Sequence, residues 1–370
     1  MIRLLISDDS AFMRIAIRKM VEPFDDIQVV GEARTGQMAV EMAENLKPDV
    51  ITMDVEMPVM DGLEATKQIM ARVPTPIIML SSLTERNSVT TIKALELGAV
   101  DFIAKKSSFV QLDIVKIGED LVEKLRYWGK KKTRVSMGAR STFSTSASSF
   151  ATEPLAPVSL RKAESALAPS LVVLGISTGG PATLPIALKA MAPLQCPMVV
   201  AQHMPPMFTN GFARHLKMET GHDVVESTDG MELRPGLIVI ARGGTDVFVR
   251  EPFPGQIMLY ERTHPDAPIH PNADVLFRSA ASVSGPVLAV VMTGMGSDGM
   301  KGAQELVSRK NSAVIVQSPE SCIVDGMPSS VINAGLASAI LKPDELGTRI
   351  GRIAGAPLAS FNPQPTSLRG

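Results

Sequence analysis

Apolar residues in this chain come in two rhythms, short β-branched blocks and longer amphipathic runs, and the two alternate. From Met1 to Trp128 the blocks "RLLIS", "DVITM", "PIIML" and "DFIAK" are separated by helical patterns such as "SAFMRIAIRKMV" and "TGQMAVEMAENL". Short continuous apolar blocks set between amphipathic helices predict the buried strands of parallel βα units. The rhythm then breaks. "KKKTRVSMGARSTFSTSASSFATEPLAPVSLRKAES" starts basic, turns rich in Ser, Thr, Ala and Pro, and has no sustained apolar period. That composition predicts a flexible linker over 129–168. Alternation resumes at Pro169 through "LVVLGIS", "PMVVAQH", "GLIVIA", "VLAVVMT" and "SAVIVQS", and fades after Ala354 into a Pro-containing tail, 355–370. Two α/β domains with parallel sheets are expected, over 1–128 and 169–354. No internal repeat is visible.

Composition narrows the functional classes. The 370 residues suit two domains, each able to bury its own core. With 37 basic against 38 acidic residues, nothing draws the chain generally to nucleic acid or to an anionic membrane. The opening "MIRLLIS" runs directly into Asp8 and Asp9, and no apolar run approaches the ~18 residues of a membrane span. Cys196 and Cys322 stand far apart and fit neither a disulfide framework nor a zinc spacing. A cytoplasmic protein is expected, with no nucleic-acid partner and no membrane insertion.

In open parallel sheets, ligands collect beyond the carboxyl ends of the strands. In the first domain those ends carry Asp8 and Asp9, Asp54, Ser81 and Lys105. Three carboxylates brought together repel one another unless a cation sits among them, and oxygen ligands suit Mg²⁺. The same pocket can take a phosphoryl group, with Asp54 as carboxylate nucleophile, Asp9 and Asp8 on the metal, and Lys105 and Ser81 on the phosphoryl oxygens. A plainer reading, in which each Asp caps the following helix, accounts for one such residue but not for the matched set. The motifs "ISDDS", "MDVEMPVMDG", "MLSS" and "DFIAKK" resemble a two-component receiver domain. That resemblance implies a flavodoxin-like, doubly wound parallel sheet and phosphorylation at Asp54. It also implies hydroxyl and aromatic switch positions at Ser81 and Phe102, and a Mg²⁺ site of Asp8, Asp9, Asp54 and Glu56. One departure is Lys106, which stands where receivers usually have proline.

The second domain opens with "LVVLGISTGGPATLP", an apolar block that stops at Ser177 before a glycine-rich turn. A phosphate loop needs a lysine in that turn, and there is none. An esterase needs a base and an orienting acid, also at strand ends. "PMVVAQHMPP" supplies His203 and "VLAVVMTGMGSDGM" supplies Asp298, completing the residue types of a hydrolytic triad. The G-x-S-x-G elbow is missing, and triads occur in several chain orders. Taken singly, Ser177 reads equally as a helix N-cap, His203 as a hydrogen-bonded strand-end histidine and Asp298 as a turn residue.

The motifs "GISTGGP", "QHMPPMFT", "TGMGSDGM" and "DGMP" stand in the order found in the chemotaxis protein-glutamate methylesterase family, the CheB type, which the chain resembles from Pro169 to Ala354. The resemblance implies a doubly wound α/β catalytic domain with Ser177 as nucleophile, His203 as general base and acid, and Asp298 orienting the histidine. Its substrates are glutamate methyl esters on methyl-accepting chemotaxis receptors, with methanol as product, and certain receptor glutamines are deamidated. No cofactor is implied for the ester step. A histidine kinase is the implied phosphodonor, and the unphosphorylated receiver is taken to cover the catalytic cleft. Backbone N–H groups of Thr178, Gly179 and Gly180, and of the turn at Met295, are candidates for an oxyanion hole.

Two rival classes stand beside this one. A non-enzymatic binding module would carry the triad as a relic, and a transcriptional regulator would need a basic helix-turn-helix where the sequence alternates strands and helices. His264 and His270 in "HPDAPIHP" invite a metal reading, but no supporting Cys or third histidine lies nearby in sequence, so a solvated loop is expected. In the following "NADVLF", family members often carry a more basic, serine-containing stretch. The 22 methionines are expected to fill the core.

Overall fold

The computed structural model describes residues 1–82, 85–105, 111–130, 168–265, 267, 269–308 and 312–355. Most of the expected linker, Lys106 and the tail from 356 lie outside them. The chain divides into two compact units, Met1–Ser159 and Leu160–Gly370, so the division falls inside the 129–168 segment.

The first unit is a five-stranded parallel sheet formed by β1 (Ile2–Ser7), β2 (Ile27–Ala33), β3 (Val50–Asp54), β4 (Ile77–Ser82) and β5 (Asp101–Lys105). The strand order is β2-β1-β3-β4-β5, the flavodoxin-like doubly wound arrangement. Five helices connect and flank the strands: α1 (Ala11–Val21), α2 (Gly36–Leu46), α3 (Gly62–Arg72), α4 (Glu85–Glu96) and α5 (Gln111–Lys130). Central β3 is buried at every position, as its unbroken apolar run requires. Ser10, Thr35 and Asp61 each cap a helix by accepting a backbone N–H, so the carboxyl edge of the sheet is built from short, defined turns. Gly62 in "MDG" is set by close approach: a Cβ there would lie 1.9 Å from the Asp54 carbonyl oxygen.

The second unit holds a seven-stranded parallel sheet in the order β15-β14-β13-β6-β7-β10-β8. Its strands are β6 (Leu171–Ile176), β7 (Met198–Gln202), β8 (Asp223–Glu226), β10 (Leu237–Ile240), β13 (Val287–Val291), β14 (Ala313–Gln317) and β15 (Ala339–Leu341). β6, β7, β10, β13 and β14 are buried throughout, whereas the edge strands β8 and β15 are largely half-buried. The flanking helices are α6 (Gly180–Ala190), α7 (Pro206–Thr220), α8 (Ala273–Ala280), α9 (Met300–Val307), α10 (Gly326–Asn333) and α11 (Pro343–Ala354). Phe208, Phe212 and Phe277 fill the space between helices and sheet. Met198, Met292 and Met327 are fully buried as expected, although Met1 and Met218 are exposed.

One element departs from the parallel expectation. β9 (Met231–Leu233), β11 (Asp246–Phe253) and β12 (Gln256–Arg262) form a separate antiparallel sheet in the order β11-β12-β9. Its signal is a period of two in burial, with Val247, Val249, Ile257 and Leu259 buried and Phe248 and Met258 half-buried between them, closed by a turn at Pro254 and Gly255.

Candidate active site and phosphoryl pocket

In the first unit the strand-end residues converge as their spacing predicts. Lys105 Nζ lies 2.8 Å from Asp8 Oδ2 and 2.8 Å from Asp54 Oδ2. Carboxylate oxygens of Asp8, Asp9 and Asp54 lie within 4.8 Å of one another. Three acids against one lysine leave surplus negative charge. Asp8 Oδ2 is buried and, although in ion-pair range of Lys105, has no further hydrogen-bond partner among the described residues. That donor set fits a divalent cation with oxygen ligands. Glu56 is exposed; its side chain is not in the cluster but lines the adjoining cavity of about 440 Å³ with Asp9, Met57, Asp61 and Thr90. Ser81 is fully buried near the end of β4, one residue beyond the partner of Asp54 in the ladder, and Phe102 is half-buried on β5.

Burial pushes the Asp54 carboxyl up to about 6, with Lys105 opposing and Asp8 reinforcing the rise. Phosphorylation requires the ionised carboxylate. Without added cation the Asp54 side chain should therefore ionise as pH rises through about 6. An NMR titration of its carboxyl carbon at fixed ionic strength checks this, and a midpoint near the ordinary 3.8 contradicts it. The sequence reading missed Arg14. This buried residue donates to the Asp8 carbonyl (2.8 Å) and the Asp9 carbonyl (3.0 Å), fixing the turn that presents both acids.

In the second unit Ser177 follows β6, His203 follows β7 and Asp298 follows the β13 turn, so neighbouring strands of one sheet bring the three together. His203 Nδ1 lies 3.0 Å from Ser177 Oγ, and His203 Nε2 lies 2.7 Å from Asp298 Oδ2. Asp298 also accepts N–H bonds from Ala273 (2.7 Å), Asp274 (2.9 Å) and Gly299 (2.9 Å). Burial alone would raise its carboxyl. The His203 hydrogen bond and charge, together with the Ala273 and Asp274 N–H groups, overcome this and hold it below the usual carboxylate range. An ionised acceptor facing Nε2 fixes the proton there and leaves the Nδ1 lone pair for the Ser177 hydroxyl.

The helix that follows Ser177 is capped by Gly179 at φ +83°, with no side-chain cap, so Ser177 is not spent as an N-cap. Its backbone is held on both sides: its N–H donates to Thr293 O (2.9 Å), and its carbonyl accepts from Gly180 N–H (2.8 Å) and Gln202 Nε2 (3.0 Å). Gly180 therefore leaves the expected oxyanion-hole set, because its N–H is already bonded. The N–H groups of Gly179 and Met295 have no acceptor among the described residues.

Gln202 and Thr293 were not read from the sequence. Gln202 Nε2 also donates to the His203 carbonyl (3.1 Å), tying nucleophile and base strands together beyond the sheet ladder. Thr293 Oγ1 donates to the Thr178 carbonyl (3.0 Å). A polar residue at the end of an otherwise apolar block was the available signal for both. No thiol competes as nucleophile at Cys196, where burial pushes the pKa up to about 12.

Gly175, two residues before the nucleophile, allows close packing: a Cβ there would lie 2.7 Å from Ala273 Cβ. Gly175→Ala should displace the first turn of α8, whose N–H groups hold Asp298. The expected outcome is a loss of stability of about 1–3 kcal/mol in urea unfolding and a drop in esterase kcat of about tenfold or more. Unchanged kcat in a folded variant would contradict this coupling.

The His264 and His270 loop is not simply solvated. Both residues are half-buried, and the loop is bound to the buried carboxylate of Asp246.

The two units define a class: a phosphoacceptor receiver in one chain with an α/β unit carrying a Ser–His–Asp constellation. The CheB methylesterase family model matches residues 172–350, and the response regulator receiver domain model matches 4–115. Protein-glutamate methylesterase/protein-glutamine glutaminase 2 of Carboxydothermus hydrogenoformans is 39% identical, over 94% of this chain and 98% of the relative. The enzyme of the same name from Bacillus subtilis is 38% identical, over 95% of this chain and 98% of its own. Among solved structures, the Thermotoga maritima CheB methylesterase catalytic domain is 33% identical and covers 50% of this chain and 99% of that one, with a TM-score of 0.48. The chain belongs to the CheB family of protein-glutamate methylesterases/protein-glutamine glutaminases.

Proposed function

We propose that the chain is a phosphorylation-regulated hydrolase that removes methyl groups from glutamate esters of chemoreceptors, and deamidates receptor glutamines, in chemotactic adaptation. The observation that carries this reading is the continuous hydrogen-bonded line from Ser177 Oγ through His203 to Asp298.

In the ester reaction Ser177 Oγ attacks the δ-carbonyl carbon while His203 Nδ1 takes the hydroxyl proton. The carbonyl oxygen becomes an oxyanion facing the N–H groups of Gly179 and Met295. Thr178 lies in the same turn, with its carbonyl held by Thr293. Collapse breaks the carbon–methoxy bond of an ester, or the δ-carbon–nitrogen bond of a glutamine amide, and the proton on Nδ1 passes to the leaving oxygen, giving methanol, or to the leaving nitrogen, giving ammonia. Water then gives a proton to Nδ1 as its oxygen attacks the acyl carbon. The glutamate leaves and Ser177 regains its proton. Asp298 stays ionised throughout and steadies the imidazolium.

Control enters at Asp54, whose carboxylate oxygen attacks phosphorus of a phosphohistidine or an acyl phosphate, and the bond from phosphorus to the donor breaks. Receiver phosphorylation is metal-dependent, and the ion fitting Asp8, Asp9 and Asp54 is Mg²⁺. When bound it neutralises charge on the acids and on the phosphoryl oxygens. Lys105 pairs with the remaining charge, while Ser81 and Phe102 are the residues placed to respond to it. The partners are receptor helices and a histidine kinase, and the setting is the cytoplasm. Among the described residues, no helix is long and apolar enough to cross a membrane.

The test is methanol and ammonia release from methylated, glutamine-containing receptor membranes, with and without acetyl phosphate and Mg²⁺. Release of both, stimulated by the phosphodonor and losing that stimulation in EDTA, is expected. Receptor binding with no release of either product would favour the binding module.

A further inference from the structure

Asp246 opens β11 and is fully buried, yet among the described residues it makes no hydrogen bond with Ser177, His203 or Asp298. A buried carboxylate is costly unless hydrogen bonds replace its water. Among the described residues, the hydrogen bonds it accepts all come from the segment leading to α8. Oδ2 accepts from the His264 backbone N–H (2.8 Å) and from His270 Nδ1 (2.8 Å), and Oδ1 accepts from the Asn272 N–H (2.9 Å). Bonds to an ionised acceptor are the strong kind, so this carboxylate works as a fixed anchor for the segment.

What it anchors bears directly on the triad. Asn272 is the N-cap of α8, its Oδ1 accepting from Val275 N–H (3.0 Å). The next two N–H groups along the chain, Ala273 and Asp274, are those that donate to Asp298. Three consecutive residues, 272 to 274, therefore bridge two buried or partly buried carboxylates, one holding the helix start and the other held by it. Gly244, two residues before Asp246, also donates its N–H to the His270 carbonyl (3.2 Å), so the segment is tied at two points to the same strand entry.

We propose that Asp246 is a positioning residue of the hydrolase site: it fixes the start of α8, so that the Ala273 and Asp274 N–H groups are aimed in advance at Asp298, which in turn holds the His203 ring toward Ser177. The inference rests on the reading of Ser177, His203 and Asp298 as the reacting set. Misplacement of such a support by a fraction of an ångström to an ångström is enough to cost about 10- to 100-fold in rate.

The test is Asp246→Asn in the full chain. The substitution keeps an acceptor for the Asn272 N–H and turns the other arm into a donor facing the His264 N–H. Two quantities are read: kcat and KM for methanol release, and the rate at which a fluorophosphonate labels Ser177. The expected result is a fall in kcat of about 10- to 100-fold, an equal slowing of labelling, and KM for the receptor within about threefold of wild type. Phosphorylation of Asp54 should be unchanged. Labelling within twofold of wild type in a folded variant overturns the proposal. So does a rise in KM with kcat preserved.

If Asp246→Asn fails to fold, His270→Ala decides, because it removes one bond and leaves the two backbone bonds in place. A smaller slowing of labelling in the same direction supports the anchor, and a wild-type rate overturns it. Labelling needs no receptor. Absence of methanol release from wild type with normal labelling would therefore refute the substrate assignment and still leave Asp246 judged by its labelling rate.

Discussion

Ser177→Ala should lower methanol release by about 10⁴-fold or more, with the variant folded and its receiver still phosphorylated. The size follows from what the hydroxyl does. Its oxygen is 3.0 Å from His203 Nδ1, the ring nitrogen left without a proton by the Asp298 contact, so removal deletes the attacking atom together with the proton the base takes from it. His203→Ala should cost a comparable factor, because without a base the hydroxyl is a poor nucleophile at neutral pH. The double variant should be little worse than either single one, since residues acting as a unit do not contribute additively. Asp298→Asn is expected to approach the same loss: an amide nitrogen facing Nε2 donates where a carboxylate accepts, which favours the wrong tautomer. Steady-state methanol assays on the four variants check the pattern, and additive losses would contradict a single reacting unit.

Asp54→Asn should abolish stimulation by acetyl phosphate while keeping basal esterase activity, because it removes the carboxylate proposed to receive phosphorus and leaves Ser177, His203 and Asp298 unchanged. The same substitution should make the first unit more stable at pH 7 without added cation. Burial raises the Asp54 carboxyl to about 6 from an ordinary 3.8. Stability contributed by the protonated form is thus fully present below about 3.8 and is lost as pH rises through about 6. Removing the ionised group should recover on the order of 2 kcal/mol at pH 7, visible as a higher urea midpoint. Added Mg²⁺ should narrow the gap by stabilising wild type alone. Wild-type stimulation of the variant by phosphodonor, or a lower urea midpoint at pH 7, would contradict this account of the pocket.

Much of this architecture was legible because buried parallel strands leave an unmistakable trace. The blocks ending at Ser7, Asp54, Ile176, Gln202 and Val291 could be read directly, and chemistry at a carboxyl edge then follows from topology. The antiparallel sheet was less visible, since Phe248 and Met258 between the buried positions blur the period of two in β11 and β12, which sit among parallel units. Side-chain support was invisible for a different reason. Gln202, Thr293 and Asp246 are polar residues bonded to backbone groups far away in sequence, while Arg14 folds back on the nearby Asp8 and Asp9 carbonyls, and no local period announces such bonds. Availability of an N–H depends in the same way on the actual turn: Gly179 and Gly180 are adjacent, but only Gly180 is spent on the Ser177 carbonyl. The Asp246 anchor converts the proline-flanked histidine loop from a solvated connection into part of the site's frame.

In the proposed reaction Ser177 is a nucleophile activated by His203. The most direct measurement is mass-spectrometric mapping of a fluorophosphonate adduct on the full chain, comparing wild type with His203→Ala. One adduct, located on Ser177 and lost or slowed by about 10³-fold or more without the histidine, is the predicted result. Labelling at another residue, or at Ser177 with equal speed in both proteins, would contradict it.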